Sequence, residues 1–125
     1  MRQQYHFRNS EKGLLVWDIL KLIDLTEKLE TKLIPLSEIK ELDEAFWYDL
    51  GDSNPTCRNI LEHSKLIDEA DLSYPIILCN KGKIMDGMHR VCKALKIGKT
   101  HIEAIQFENY IEPDFVGIDL KDLKY

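Results

Sequence analysis

Five consecutive residues, Asp86-Gly87-Met88-His89-Arg90, set a carboxylate, a glycine, an imidazole and a guanidinium side by side. They fall where a strand-like pattern gives way to a helical one. The first N–H groups of a helix have no partner inside it, so this kind of joint can hold a phosphate. Gly87 lets another group come close to the backbone. Arg90 can bind two phosphate oxygens through parallel N–H bonds. His89 can donate to an oxygen or carry a proton near neutral pH. A bare Asp86 would repel a polyphosphate, unless it holds Mg²⁺, accepts a proton from a hydroxyl substrate, or turns away to cap the helix. A purely structural reading carries equal weight: Asp86 as cap, His89 exposed, Arg90 a surface partner.

The elements around the joint follow from local chemistry. Tyr74 to Cys79 is a continuous apolar run, the pattern of a central strand covered on both faces. Asn80-Lys81-Gly82 suits a tight hairpin turn, and Lys83 to Asp86 forms the return strand. Met88, Val91, Cys92 and Leu95 fall at i, i+3, i+4 and i+7, predicting a helix over 88–97 with that stripe inward. Gly98 ends it, Lys93, Lys96 and Lys99 suit its C-terminal end, and His101 to Phe107 is a further strand.

Upstream, Asn54 and Pro55 suit a helix start, with the helix running to about Glu69 and Cys57, Ile60, Leu61 and Ile67 inward. Arg58 in its first turn opposes the helix dipole. It pairs with Glu62 four residues on, or it contacts an anion. Lys32 to Leu36 contains Pro35 and suits an edge strand. Ser37 can cap a turn through Ile39 and Leu42, and the aromatic run Phe46-Trp47-Tyr48 suits a core. Val16, Ile19, Leu20 and Ile23 predict an amphipathic helix from Leu14 to Leu25. The first dozen residues are polar and read as loosely held, and the 108–125 tail reads as irregular and folded back on the body.

A length of 125 residues implies one domain, and 44% apolar residues suffice for one core. A net charge of −5 argues against broad nucleic-acid binding. No apolar run has the length of a membrane span, and the N-terminus does not read as a secretory signal; a cytoplasmic protein is expected. Cys57, Cys79 and Cys92 lack metal-type spacing and read as reduced, packed thiols.

In its order of elements the chain resembles the ParB/sulfiredoxin-like superfamily. The likeness covers about residues 32 to 107: IPLSEI, an arginine-bearing helix at PTCRNILEH, the strand YPIIL, then a Gly-x-x-Arg loop opening a helix. Partition proteins of the group read G-E-R-R, so Gly87 and Arg90 match; this chain is too short to carry their helix-turn-helix domain as well. Sulfiredoxins read G-C-H-R. Gly87, His89 and Arg90 match, but Met88 stands where their cysteine attacks, and a thioether is no such nucleophile. Free-serine kinases read D-G-H-H-R, and only Met88 departs.

The resemblance implies an α+β fold of ParB/sulfiredoxin-like type, a small mixed sheet with packed helices. It implies a core at 32–107, with the 14–25 helix and the 108–125 tail packed on it. It further implies binding of ATP or a related nucleoside triphosphate with Mg²⁺, coupled to phosphoryl transfer onto an unidentified acceptor or to hydrolysis. Main-chain N–H groups of Gly87, Met88 and His89 would cradle phosphate, with Arg90, His89 and Arg58 on its oxygens. Asp86 would be metal ligand or base, and Glu41 or Glu44 would supply a second catalytic carboxylate. The competing expectation is a non-catalytic module that senses a ligand or binds a protein. A nuclease is less expected, because no clustered carboxylate site can be placed.

Overall fold

The structure is a computed structural model that describes residues 2–48 and 55–125. The expected loop at 51–53 and the Asn54 cap lie outside the described residues. Among the described residues the fold is α+β, with two sheets and three α-helices.

The larger sheet holds β3 (Lys32–Pro35), β4 (Ile76–Leu78), β5 (Ile84–Asp86) and β6 (His101–Gln106), in the order β3-β6-β4-β5. β4 and β6 run parallel, and the other neighbours are antiparallel. β3 lies at one edge, where Pro35 removes no ladder bond that a central strand would need. The turn between β4 and β5 uses Gly82 at φ +82°, with the Gly82 N–H donating to the Cys79 carbonyl.

Central position explains the unbroken apolar run of β4. Ile76 and Leu78 face one cluster together with Ile84, Ile102 and the helix residues Met88, Val91 and Ala94. Ile77 and Cys79 face the other, with Trp17, Ile19, Leu22, Met85 and Phe107. Side chains alternate along a strand, so a strand covered on both faces needs apolar residues at every position.

Helix α2 spans Cys57–Glu69, and α3 spans Met88–Lys96. Thr56 caps α2, its hydroxyl accepting the Asn59 N–H at 3.1 Å. Of the expected inward face of α2 only Ile67 is covered. Ile60 is 57% exposed, Leu61 is 70% exposed, and Cys57 is exposed too. The half-buried residues are Asn59, His63 and Ile67, spaced by four. The reason is that α2 packs chiefly on α3, so only a narrow stripe is covered. In α3 the buried residues are Met88, Val91 and Ala94, while Leu95 is exposed.

The N-terminal third departs most from expectation. Residues 5–8 form β1 (Tyr5–Arg8), and 15–18 form β2 (Leu15–Asp18). The helix expected over 14–25 is only α1 (Ile19–Leu25), and Asp18 caps it by accepting the Leu20 N–H at 2.9 Å. Val16 and Trp17 are adjacent and both fully buried, which a strand covered on both sides allows. β1 pairs with β2, and β2 with β7 (Phe115–Val116) from the tail. The tail thus folds back, held also by the Trp17 indole N–H donating to the Ile111 carbonyl at 2.8 Å. Ser37 caps nothing: the 3-10 turns Leu36–Glu38 and Lys40–Asp43 start without a side-chain cap.

Candidate functional site

The expected joint exists as read. β5 ends at Asp86, Gly87 turns, and α3 begins at Met88. Gly87 has φ +113°, a left-handed value that side chains resist. It also faces Ile76: a Cβ there would lie 2.6 Å from the Ile76 Cγ2. The close approach that Gly87 permits is therefore made, in part, by the protein's own strand.

Arg90 is not a free clamp. One terminal nitrogen donates to the carbonyls of Tyr74 (3.0 Å) and Pro75 (2.7 Å). The other donates to Asp86 Oδ2 at 2.7 Å. Both side chains are largely buried, at 15% and 20% exposure, so the pair is shielded from water. Asp86 consequently does not cap α3, whose first turn has no side-chain cap. Arg90 ties the helix start to the chain entering β4 and neutralises the carboxylate that would repel an anion.

His89 is engaged as well. Its Nε2 lies 2.9 Å from His63 Nδ1 on α2, and one of the two nitrogens donates to the other. The Trp47 ring lies over both imidazoles, with centroids 4.1 Å from His63 and 4.6 Å from His89. Burial, then the charges of His63 and Arg90, push His89 down to about 4. Burial also lowers His63, against Glu62. Both imidazoles are neutral at physiological pH and act as hydrogen-bonding planes. The sequence gives no sign of His63, because a histidine in mid-helix is an ordinary surface residue until Trp47 and His89 are placed beside it.

The joint opens on a cleft of about 520 Å³. Ile23, Ile77, Ile105 and Leu66 give it apolar walls, and Asp86, Gly87, His89 and Arg90 line it on the α3 side. Its size lies in the range of small-molecule sites, and an apolar body with a few polar groups is their usual make-up.

The remaining expected residues lie elsewhere. Glu41 is buried, and its Oε2 accepts the Ile84 N–H at 2.6 Å, at the opposite end of β5 from Asp86. It lines a different cleft, together with Glu44. Arg58 is exposed near the start of α2 and lines neither cleft. Among the described residues no three His, Cys, Asp or Glu side chains converge as a metal would require. A Mg²⁺ held through Asp86 would thus have to take its other ligands from a nucleotide and water. Phe46 and Trp47, expected in the core, lie half-buried on its margin.

No known protein family matches the chain, and neither a curated protein nor a solved structure is detectably similar to it. No helix among the described residues is long and apolar enough to cross a membrane.

Proposed function

We propose that this chain is a nucleotide-binding domain of the ParB/sulfiredoxin-like type, with its ligand in the cleft beside the α3 start. The observation that carries the reading is the union of an uncapped helix N-terminus with an apolar-walled cleft at the same residues. The helix start offers N–H groups and the positive end of a dipole to a phosphate. The apolar walls offer cover to a base. The order strand, turn, strand, Gly87, helix, strand agrees with the resemblance.

The geometry favours binding over catalysis. Asp86 is held by Arg90, and Glu41 serves the Ile84 N–H in a separate cleft. The base and metal ligand that phosphoryl transfer would use are therefore occupied and apart. Arg90 acts as a positioning residue that keeps the joint in shape, and His89 is one wall of the cleft.

Calorimetry with ATP, CTP and GTP, each with and without Mg²⁺, tests the reading when joined to ¹⁵N-amide shift mapping. Saturable binding with the largest shifts at Gly87, Met88 and His89 is expected, without release of phosphate. If none of the three nucleotides binds saturably, or the shifts centre elsewhere, the reading is wrong. Phosphate release that Asp86→Asn abolishes would restore the catalytic alternative.

A further inference from the structure

A second cleft, of about 470 Å³, lies between β1, the 41–47 segment and the start of β5. It shares a wall with the first, since Trp47 lines it and stacks on His89. Its most unusual group is Arg8. The Arg8 Nε donates to His6 Nε2 at 2.9 Å, and the guanidinium sits 5.4 Å from the Trp17 ring centre. Its second terminal nitrogen is buried with no hydrogen-bond partner among the described residues. No carboxylate among them pairs with it either.

That arrangement is unfavourable as it stands. A buried donor left unpaired loses its hydration without return, and a partly buried cation with no direct ion pair adds to that cost. His6 supplies no negative charge: burial first, and the Arg8 charge second, lower it to about 3, so it is neutral. Cys79 stands nearby. Burial raises its thiol, but hydrogen bonds from the Lys81 and Lys83 N–H groups and from the Arg8 side chain, together with the Arg8 charge, outweigh that and draw it down; only the one Arg8 terminal nitrogen stays unpaired. It is almost wholly buried in the second apolar cluster.

The rest of the lining narrows the missing partner. Lys83 adds a second cation, and Glu41 and Glu44 offset both, so the formal charge of the lining is near zero with His6 neutral. A polyphosphate would meet two carboxylates with several charges, whereas a monocarboxylate brings only one. Phe46 and Trp47 give the wall two aromatic rings, while Tyr5 and Phe7 alternate to the other face of β1, toward Phe115 and Tyr125. Such rings favour another planar ring, in offset or edge contact. A guanidinium favours a planar pair of oxygens. We propose that this second cleft binds a small aromatic monocarboxylate, its carboxylate on Arg8 and its ring against Phe46 and Trp47.

Benzoate and 4-hydroxybenzoate are the probes, with acetate and inorganic phosphate for comparison, on the full chain by calorimetry and amide shift mapping. Saturable binding of the ring-bearing acids is expected, with shifts at Arg8, Phe46 and Trp47. Acetate should bind at least about tenfold more weakly, since ring contact alone contributes about that much. Arg8→Leu should abolish benzoate binding. Because that change also removes the bond to His6, Phe46→Ala and Lys83→Met provide a second arm, each weakening benzoate severalfold in a folded protein. The proposal is overturned if neither aromatic acid binds saturably, if acetate binds equally well, or if the shifts fall at Gly87 to His89. It is also overturned if Phe46→Ala and Lys83→Met both bind benzoate as tightly as the parent chain.

Discussion

Arg90 spends its donors inside the protein, and this changes what its replacement should do. Arg90→Ala removes two hydrogen bonds to carbonyls and leaves Asp86 as a largely buried carboxylate without its cation. Losing one partner of a shielded pair is strongly destabilising, and on the order of 3 kcal/mol is expected. Urea unfolding measures this directly; an unchanged midpoint would show that the clamp does not hold the joint. Lysine should rescue little, because a single ammonium cannot span two carbonyls and a carboxylate in the same planar fork. A second residue-level consequence concerns pH. His6 is lowered to about 3 and His89 to about 4, both from 6.5, so the folded state holds them neutral while the unfolded chain takes up protons. Their stabilisation is complete above the unfolded value and drains away as pH falls through about 6.5 towards 4 for His89 and towards 3 for His6. Unfolding free energies measured across that window should decline, and His89→Gln should flatten the decline. A protein equally stable at both ends would contradict the buried, neutral assignment.

At the scale of elements, α2 is the informative case. Its sequence is amphipathic, yet its more apolar side meets solvent, and the stripe toward α3 is Asn59, His63 and Ile67. Ile60→Gln and Leu61→Gln should therefore change the melting free energy by no more than about 0.5 kcal/mol, as surface changes usually do. A loss near that of a core leucine, about 2 kcal/mol or more, would mean that the face is covered. The helix is held by its C-terminal end as well as by His63. Lys93 of α3 donates to the carbonyls of Asp68 and Ala70, and Lys96 pairs with Asp68. These lysines were expected to serve the C-terminus of their own helix, and two of them fasten the end of its neighbour. Lysine reach is long enough for either role, and only the closeness of the C-terminal ends of the two helices selects the second.

Across the whole molecule, the two ends of the chain make one sheet. β1 and β7 flank β2, Tyr5 donates through its hydroxyl to the Lys124 carbonyl at 2.5 Å, and its ring meets Tyr125 edge-on. Leu123 is buried there as well. Deleting residues 114–125 should thus unprotect amides of β1 and β2 while leaving those of β4 and β6 slow in hydrogen exchange. Uniform loss of protection would show the two sheets to be one cooperative unit; unaltered β1 and β2 would show that the tail adds nothing.

How far the sequence reaches is clearest by comparing stretches. From Tyr74 to Phe107 the strand, turn, strand, helix and strand were readable, because each is set by neighbours in the chain: Gly82 for the turn, apolar runs for buried strands, Gly87 and Gly98 to bound α3. Leu15 to Asp18 carries a helical pattern although it is a strand, because Val16, Ile19 and Ile23 keep helical spacing even though two of the three lie beyond that strand. β1 and β7 raise no local signal, since a four- or two-residue strand exists only by virtue of the partner it pairs with. The DGMHR joint was visible in outline, but its side-chain roles were not. Local spacing can place Asp86, His89 and Arg90 on one turn. Whether those groups face a ligand or one another depends on what distant segments bring up to them: Tyr74 and Pro75 to Arg90, and Trp47 and His63 to His89. Sequence alone determined the elements that short-range backbone preference and periodicity dictate. Tertiary structure alone decided which polar groups are satisfied internally, because hydrogen bonds between remote residues leave no periodic trace in the chain.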